Sequence, residues 1–142
     1  MTHPDRPIAY LHRLRVYWED TDAGGVVFYA NHLKFFERAR TEWLRALGYG
    51  QQQLRTEQGL MFVVASTAVR YLRPARLDDW LEVSVEVIAA GRVSMTLAQQ
   101  TRREGKLLAE GEIRIGCVDA GTFAPRRIPK PIADAAMAAP TP

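Results

Sequence analysis

The 142 residues fit one ordinary domain, and a composition 47% hydrophobic and 25% charged is that of a soluble globular protein. No apolar run approaches the ~20 residues that span a bilayer, and residues 1–15 lack the apolar core of a secretory signal, so a cytoplasmic protein is expected. A net charge of +3, carried by scattered arginines without interleaved aromatics, argues against a nucleic-acid surface and suits a small anionic partner.

Ala9 to Tyr17 read as a first strand, with Tyr10, Leu11, Leu14, Val16 and Tyr17 set among basic residues. Three carboxylates, Glu19, Asp20 and Asp22, then fall within four residues and are followed by Gly24 and Gly25. From Asn31 to about Leu47 the pattern turns helical. Leu33, Phe36, Ala39, Trp43 and Leu47 recur at three- and four-residue steps, and Phe35 and Leu44 widen the apolar face enough for a sheet to wrap it. Asn31 is the expected N-cap, Gly48 the expected left-handed stop, and Arg38 and Glu42 a solvated pair.

A polar segment, Gln51 to Gln58, separates this helix from four further strands: Met61–Tyr71, Leu81–Val87, Met95–Gln100 and Glu112–Cys117. Their breaks lie at Pro74–Asp79, Gly91-Arg92 and Glu104-Gly105, the last two short enough for hairpins. Short hairpins make neighbours antiparallel. The fold class is therefore α+β, one antiparallel sheet with one main helix, and its open edge favours dimerisation. The proline-rich tail from Ala120 is expected to be poorly ordered over its last ten or so residues.

An acidic strand end that turns on glycine and enters a helix can hold a carboxylate beside free backbone N–H groups. That arrangement suits attack on a carbonyl and stabilisation of the resulting oxyanion. Spacing alone leaves Asp22, Asp20 and Glu19 all open as the working acid, and helix capping or arginine pairing remain alternatives for each. Cys117, in a strand pattern, reads as packing. His32 reads as a surface or packing residue, His3 and His12 lack partners in the sequence, and no His/Cys/Asp spacing points to a metal. Phe28, Phe36, Phe62 and Tyr71 are either core or pocket lining.

RVYWEDTDAGGVVFYANHLKFFERARTEWLR, then VRYLRPARLDDWLEV and IRIGCVDAGTFAPRRIP, resemble the hotdog-fold acyl-CoA thioesterases. The nearest group is the Tol-Pal-associated YbgC-type branch of the 4-hydroxybenzoyl-CoA thioesterase family. The resemblance implies a hotdog fold, a five-stranded antiparallel sheet wrapped around one long helix. It further implies one domain over residues 1–142 with a core of about 9–131. The implied reaction is hydrolysis of an acyl-CoA, with a short chain preferred, without cofactor or metal. The catalytic carboxylate falls on Asp22, as general base or as nucleophile, and the oxyanion donor on the Tyr29 backbone N–H. Gly25, Val26, Val27, Phe28 and Asn31 are the expected substrate contacts, and Arg92 and Arg126 the expected partners of the coenzyme A phosphates. Tyr29 stands where many YbgC-type members carry His, so a side-chain role there does not transfer. Dimers that pair into tetramers, with sites at the subunit interface, are implied too. The alternative is a non-catalytic module binding acyl carrier protein or phospholipid-synthesis enzymes at the inner membrane. A hotdog dehydratase would need a His-Phe-Pro loop, which this sequence does not contain.

Overall fold

The computed structural model describes residues 8–137; His3 and the last five residues of the tail lie outside them. Alternating side chains give each strand one apolar face, and five strands pool those faces in one antiparallel sheet of order β1-β3-β4-β5-β2. They are β1 (Tyr10–Arg15), β2 (Leu60–Tyr71), β3 (Trp80–Ala90), β4 (Ser94–Arg103) and β5 (Lys106–Asp119). The long helix α1 (Asn31–Ala46) is enclosed by this sheet. Its Phe35, Phe36, Ala39, Trp43 and Leu44 join Leu81, Val83, Val85, Met95, Leu97, Ile113 and Ile115 in one buried cluster. This is the wrapped-helix architecture expected above.

Two devices seat the helix. A Cβ on Gly111 of β5 would lie 2.9 Å from Phe36 Cε2, so the missing side chain is what lets the Phe36 ring reach the sheet. Gln99, fully buried on β4, donates to the Phe36 carbonyl at 3.0 Å and to the Ser84 carbonyl at 3.3 Å, and accepts from Arg40 at 2.8 Å. A buried amide with its polar atoms paired costs little and fixes the rotation of α1 against β4.

Several expectations need correction. Phe35, Phe36, Ala39, Trp43 and Leu44 are buried as expected, but the stripe begins at His32 and Leu33 is exposed. Asn31 is the first helical residue, not the N-cap, and Ala30 occupies the cap without a side-chain acceptor. Glu42 pairs with Arg45 one turn on, whereas the Arg38 guanidinium lies over the Phe35 ring at 5.7 Å. The strands run longer than their strict alternation; β5 begins at Lys106, where Leu107, Leu108 and Ala109 break the period of two. The polar segment Gln51 to Gln58 carries its own structure. It forms a short helix α2 (Gln51–Gln53) and a π-turn (Leu54–Gln58) that buries Leu54. The tail also orders further than expected: α3 (Lys130–Met137) buries Ile132 and Ala136 against the core.

The Gly48 stop stands, at φ +94° with Tyr49 N–H donating to the Leu44 carbonyl at 2.9 Å. Cys117 is buried, as packing requires. Among the described residues no helix is long and apolar enough to cross a membrane.

Gly111→Val should lower unfolding free energy by about 1–3 kcal/mol through overpacking against Phe36. Gly116→Val, where the nearest atom to a new Cβ is 3.9 Å away, should cost much less in the same denaturant titration. Equal losses would contradict this account of Gly111.

Candidate active site

Asp20 organises the loop between β1 and α1. It ends a short 3-10 turn (Trp18–Asp20) and is only 4% exposed. A buried carboxylate needs donors, and it has two: the Tyr17 N–H and the Asn31 side-chain amide, each at 2.8 Å. The chain then doubles back. Phe28 N–H donates to the Asp20 carbonyl at 3.0 Å, Thr21 bridges Val27, and Asp22 N–H donates to the Val26 carbonyl at 2.8 Å. Gly25, at φ +79°, makes the tight turn.

At the tip, Asp22 is exposed, with Oδ1 accepting the Gly24 N–H at 2.8 Å. A Cβ on Gly24 would sit 3.2 Å from that oxygen, so glycine keeps the carboxylate seated on the backbone. One oxygen is thus fixed and the other has no partner among the described residues. Down the loop, Asn31 N–H donates to the Phe28 carbonyl and His32 N–H to the Tyr29 carbonyl. The N–H groups of Tyr29 and Ala30 have no acceptor among the described residues. They lie just before a helix start, where the dipole adds about half a positive charge.

Beside Tyr29 lies an open groove of about 250 Å³ lined by Val27, Tyr29, His32, Tyr71, Leu72, Arg73 and Pro74. Val27 N–H donates to the Ala75 carbonyl at 2.8 Å, which holds the loop to the β2–β3 connection and forms this wall. The rings of Phe28 and Tyr29 are 4.8 Å apart, those of Tyr29 and Tyr71 6.1 Å, and those of His32 and Tyr71 5.5 Å. Burial pushes the His32 imidazole below its ordinary value and the Tyr71 phenol above its own, so both are neutral near pH 7.

The structure brings Asp22, Gly25, Val26, Val27, Phe28, Tyr29 and Asn31 together in one loop. Asn31 is buried and bonded to Asp20, so within the chain it acts on the loop through that carboxylate. Arg92 and Arg126 are elsewhere. Arg92 is in the β3–β4 turn and Arg126 follows β5, both at the sheet end opposite Asp22. Arg126 is paired with Asp119 at 2.8 Å. Of the four aromatics left open, Phe36 is core, Phe62 is partly buried against it, and Phe28 and Tyr71 are half exposed at the site. His32, read as surface or packing, is a packing residue that also walls the groove. Leu72, Arg73 and Pro74 were not anticipated; the proline break after Tyr71 was their only local signal. Among the described residues no cluster of three or more His, Cys, Asp or Glu could hold a metal ion.

Residues 16–136 match the family model described as the thioesterase-like superfamily. A protein of Haemophilus influenzae named acyl-CoA thioesterase YbgC is 45% identical over 119 residues, 84% of this chain and 88% of that protein. A Helicobacter pylori protein of the same name is 34% identical, over 83% of this chain and 92% of its own length. Among solved structures, a probable thioesterase from Bartonella henselae superposes with a TM-score of 0.81 at 31% identity, covering 84% of this chain and 98% of that one.

The His32 shift has a sign that can be tested. A folded-state pKa below 6.5 means that the unfolded chain takes up the proton first as pH falls. Stability is therefore full above about pH 6.5 and declines below it until the folded pKa is reached. His12, lowered mainly by burial, contributes in the same direction. Denaturant midpoints should fall between about pH 7 and 5, and His32→Phe should remove part of that slope; an unaltered slope would contradict the assignment.

Proposed function

The chain belongs to the thioesterase-like superfamily, and we propose that it is an acyl-CoA thioesterase, releasing a free acid and coenzyme A. The reading is carried by one observation. An exposed carboxylate held through one oxygen shares a loop with a helix start whose Tyr29 and Ala30 N–H groups lack acceptors among the described residues.

The Tyr29 N–H polarises the thioester carbonyl and stabilises the oxyanion, aided by the α1 dipole. Asp22 removes a proton from water as the water oxygen bonds to the carbonyl carbon. The tetrahedral intermediate collapses with C–S cleavage, and the departing thiolate takes up the proton. In the second route the Asp22 carboxylate attacks the carbonyl carbon and the C–S bond breaks, releasing the coenzyme A thiolate. Water then opens the mixed anhydride to the free acid and Asp22, its proton passing to the thiolate. Either way a good leaving group makes a single carboxylate sufficient. Gly25, Val26, Val27 and Phe28 form the surface beside the reacting carbonyl, and Asn31 holds that surface in shape through Asp20. The expected acyl chain is a short one.

The active form is a homodimer, with further pairing to a tetramer. β2 is a twelve-residue edge strand whose Val64–Ala68 stretch is exposed and uncharged, and pairing with a second copy satisfies it. Antiparallel pairing of β2 with its copy turns the Arg92 and Arg126 end of one chain toward the Asp22 end of the other. This keeps Arg92 as a candidate for the coenzyme A phosphates. The expected location is the cytoplasm. Acyl carrier protein, at the inner membrane or free, remains a second possible carrier of the acyl group.

Asp22→Asn should lower kcat at least ~100-fold on the best substrate of an acetyl- to palmitoyl-CoA panel, with the thermal midpoint nearly unchanged. Retained activity would remove Asp22 from the mechanism. Wild-type inactivity on the whole panel would contradict the enzyme reading and favour the acyl-carrier or Tol-Pal docking role.

A further inference from the structure

Phe123 is a bulky aromatic in an unlikely place. It is 61% exposed and sits at φ +63°, a left-handed conformation that favours glycine. The turn holding it is firmly built around Asp119. Asp119 Oδ2 accepts the N–H groups of Gly121 and Thr122 at 3.0 Å each, and Oδ1 accepts Arg126 at 2.8 Å. The Asp119 carbonyl accepts the Phe123 N–H itself at 2.9 Å. An exposed aromatic held in a left-handed conformation on a hydrogen-bonded turn is an outlier that its own core does not explain.

Its own groove is out of reach. Phe123 follows β5 where Asp119 pairs with Leu60 and Ala120 N–H donates to the Gly59 carbonyl, at the start of β2. The groove wall, Tyr71 to Pro74, begins at the other end of β2, about 36 Å away at 3.3 Å per residue. A second copy closes that distance. The exposed run Val64–Ala68 centres on Ser66, and antiparallel pairing about a two-fold axis there sets Leu60 opposite the partner subunit's Leu72. The turn beside Gly59 then meets the partner's Arg73 and Pro74, at the mouth of its groove.

We propose that Phe123 enters the groove of the partner chain beside Arg73 and Pro74 and closes it there, setting the upper limit on acyl chain length. This rests on the thioesterase reading and on β2 pairing. Each groove is open in the single chain because its last wall comes from the other subunit.

Phe123→Gly suits the left-handed backbone and so should fold normally. Over butyryl- to palmitoyl-CoA, its kcat/KM for long chains should rise on the order of tenfold relative to butyryl-CoA. An unchanged profile overturns the proposal. Mixed dimers of D22N and F123G chains, purified through two tags, locate the residue. Their one intact carboxylate lies in the F123G chain, and their one Phe123 in the D22N chain. A wild-type profile supports supply from the partner, and the F123G profile overturns it.

A readout without catalysis is cross-linking of the double variant F123C and R73C by a short bismaleimide. Covalent dimers support the placement; their absence overturns it. Wild-type inactivity on every acyl-CoA overturns the thioesterase reading and this role with it. An active wild type with an unaltered F123G profile overturns this role alone.

Discussion

The site depends on one buried carboxylate. Asp20 ties the end of β1, through the Tyr17 N–H, to the first residue of α1, through the Asn31 amide. Leaving either oxygen of a buried carboxylate unpaired costs about 1–3 kcal/mol or more, a large share of a stability of about 5–15 kcal/mol. The loop therefore closes on Asp20 and in closing folds into the hairpin that lifts Asp22 to its tip. The same bond occupies the Asn31 side chain and leaves alanine at the N-cap. A Ser or Asp at that cap would stabilise the helix by accepting its first N–H groups. Here the backbone carbonyls of Tyr29 and Ala30 accept the His32 and Leu33 N–H groups instead, and the N–H groups left without an acceptor among the described residues are those of Tyr29 and Ala30.

The second determinant is the connection from β2 to β3. It crosses from one side of the sheet order to the other, and the bond from Val27 N–H to the Ala75 carbonyl fastens the loop beneath it. Tyr71 to Pro74 are thereby brought beside Tyr29 and His32, giving the groove its second wall next to the polar loop. Gln99 and Gly111 fix α1 against the sheet, and through α1 they fix the direction of its dipole. Carboxylate, amide donors and groove are thus set by three separate contacts that converge on the start of one helix.

Much of this was legible in the chain. The period of two along β3 and β4, the glycines at both hairpins and the apolar stripe after Asn31 define the strands and the helix, because each depends on local geometry. The turn on glycine after the three acids was legible for the same reason. Which acid is buried was not, since Asp20 and Asp22 differ only in what meets them: Asn31, eleven residues on from Asp20, in one case, and the Gly24 N–H in the other. The role of Asn31 was misread for that reason too, as its side chain answers a distant carboxylate and not its own helix. The groove walls and the opposite placement of Arg92 and Arg126 follow from strand order, which no local pattern encodes.

The central claim is that the Tyr29 N–H receives the carbonyl oxygen of the substrate. The most direct measurement is the amide NMR spectrum of ¹⁵N-labelled protein, titrated with an acyl-CoA analogue in which a methylene replaces sulfur and the carbonyl is kept. The account predicts a downfield shift of the Tyr29 amide proton on binding, larger than those of neighbouring loop amides. Saturable binding that leaves the Tyr29 amide unmoved would contradict it.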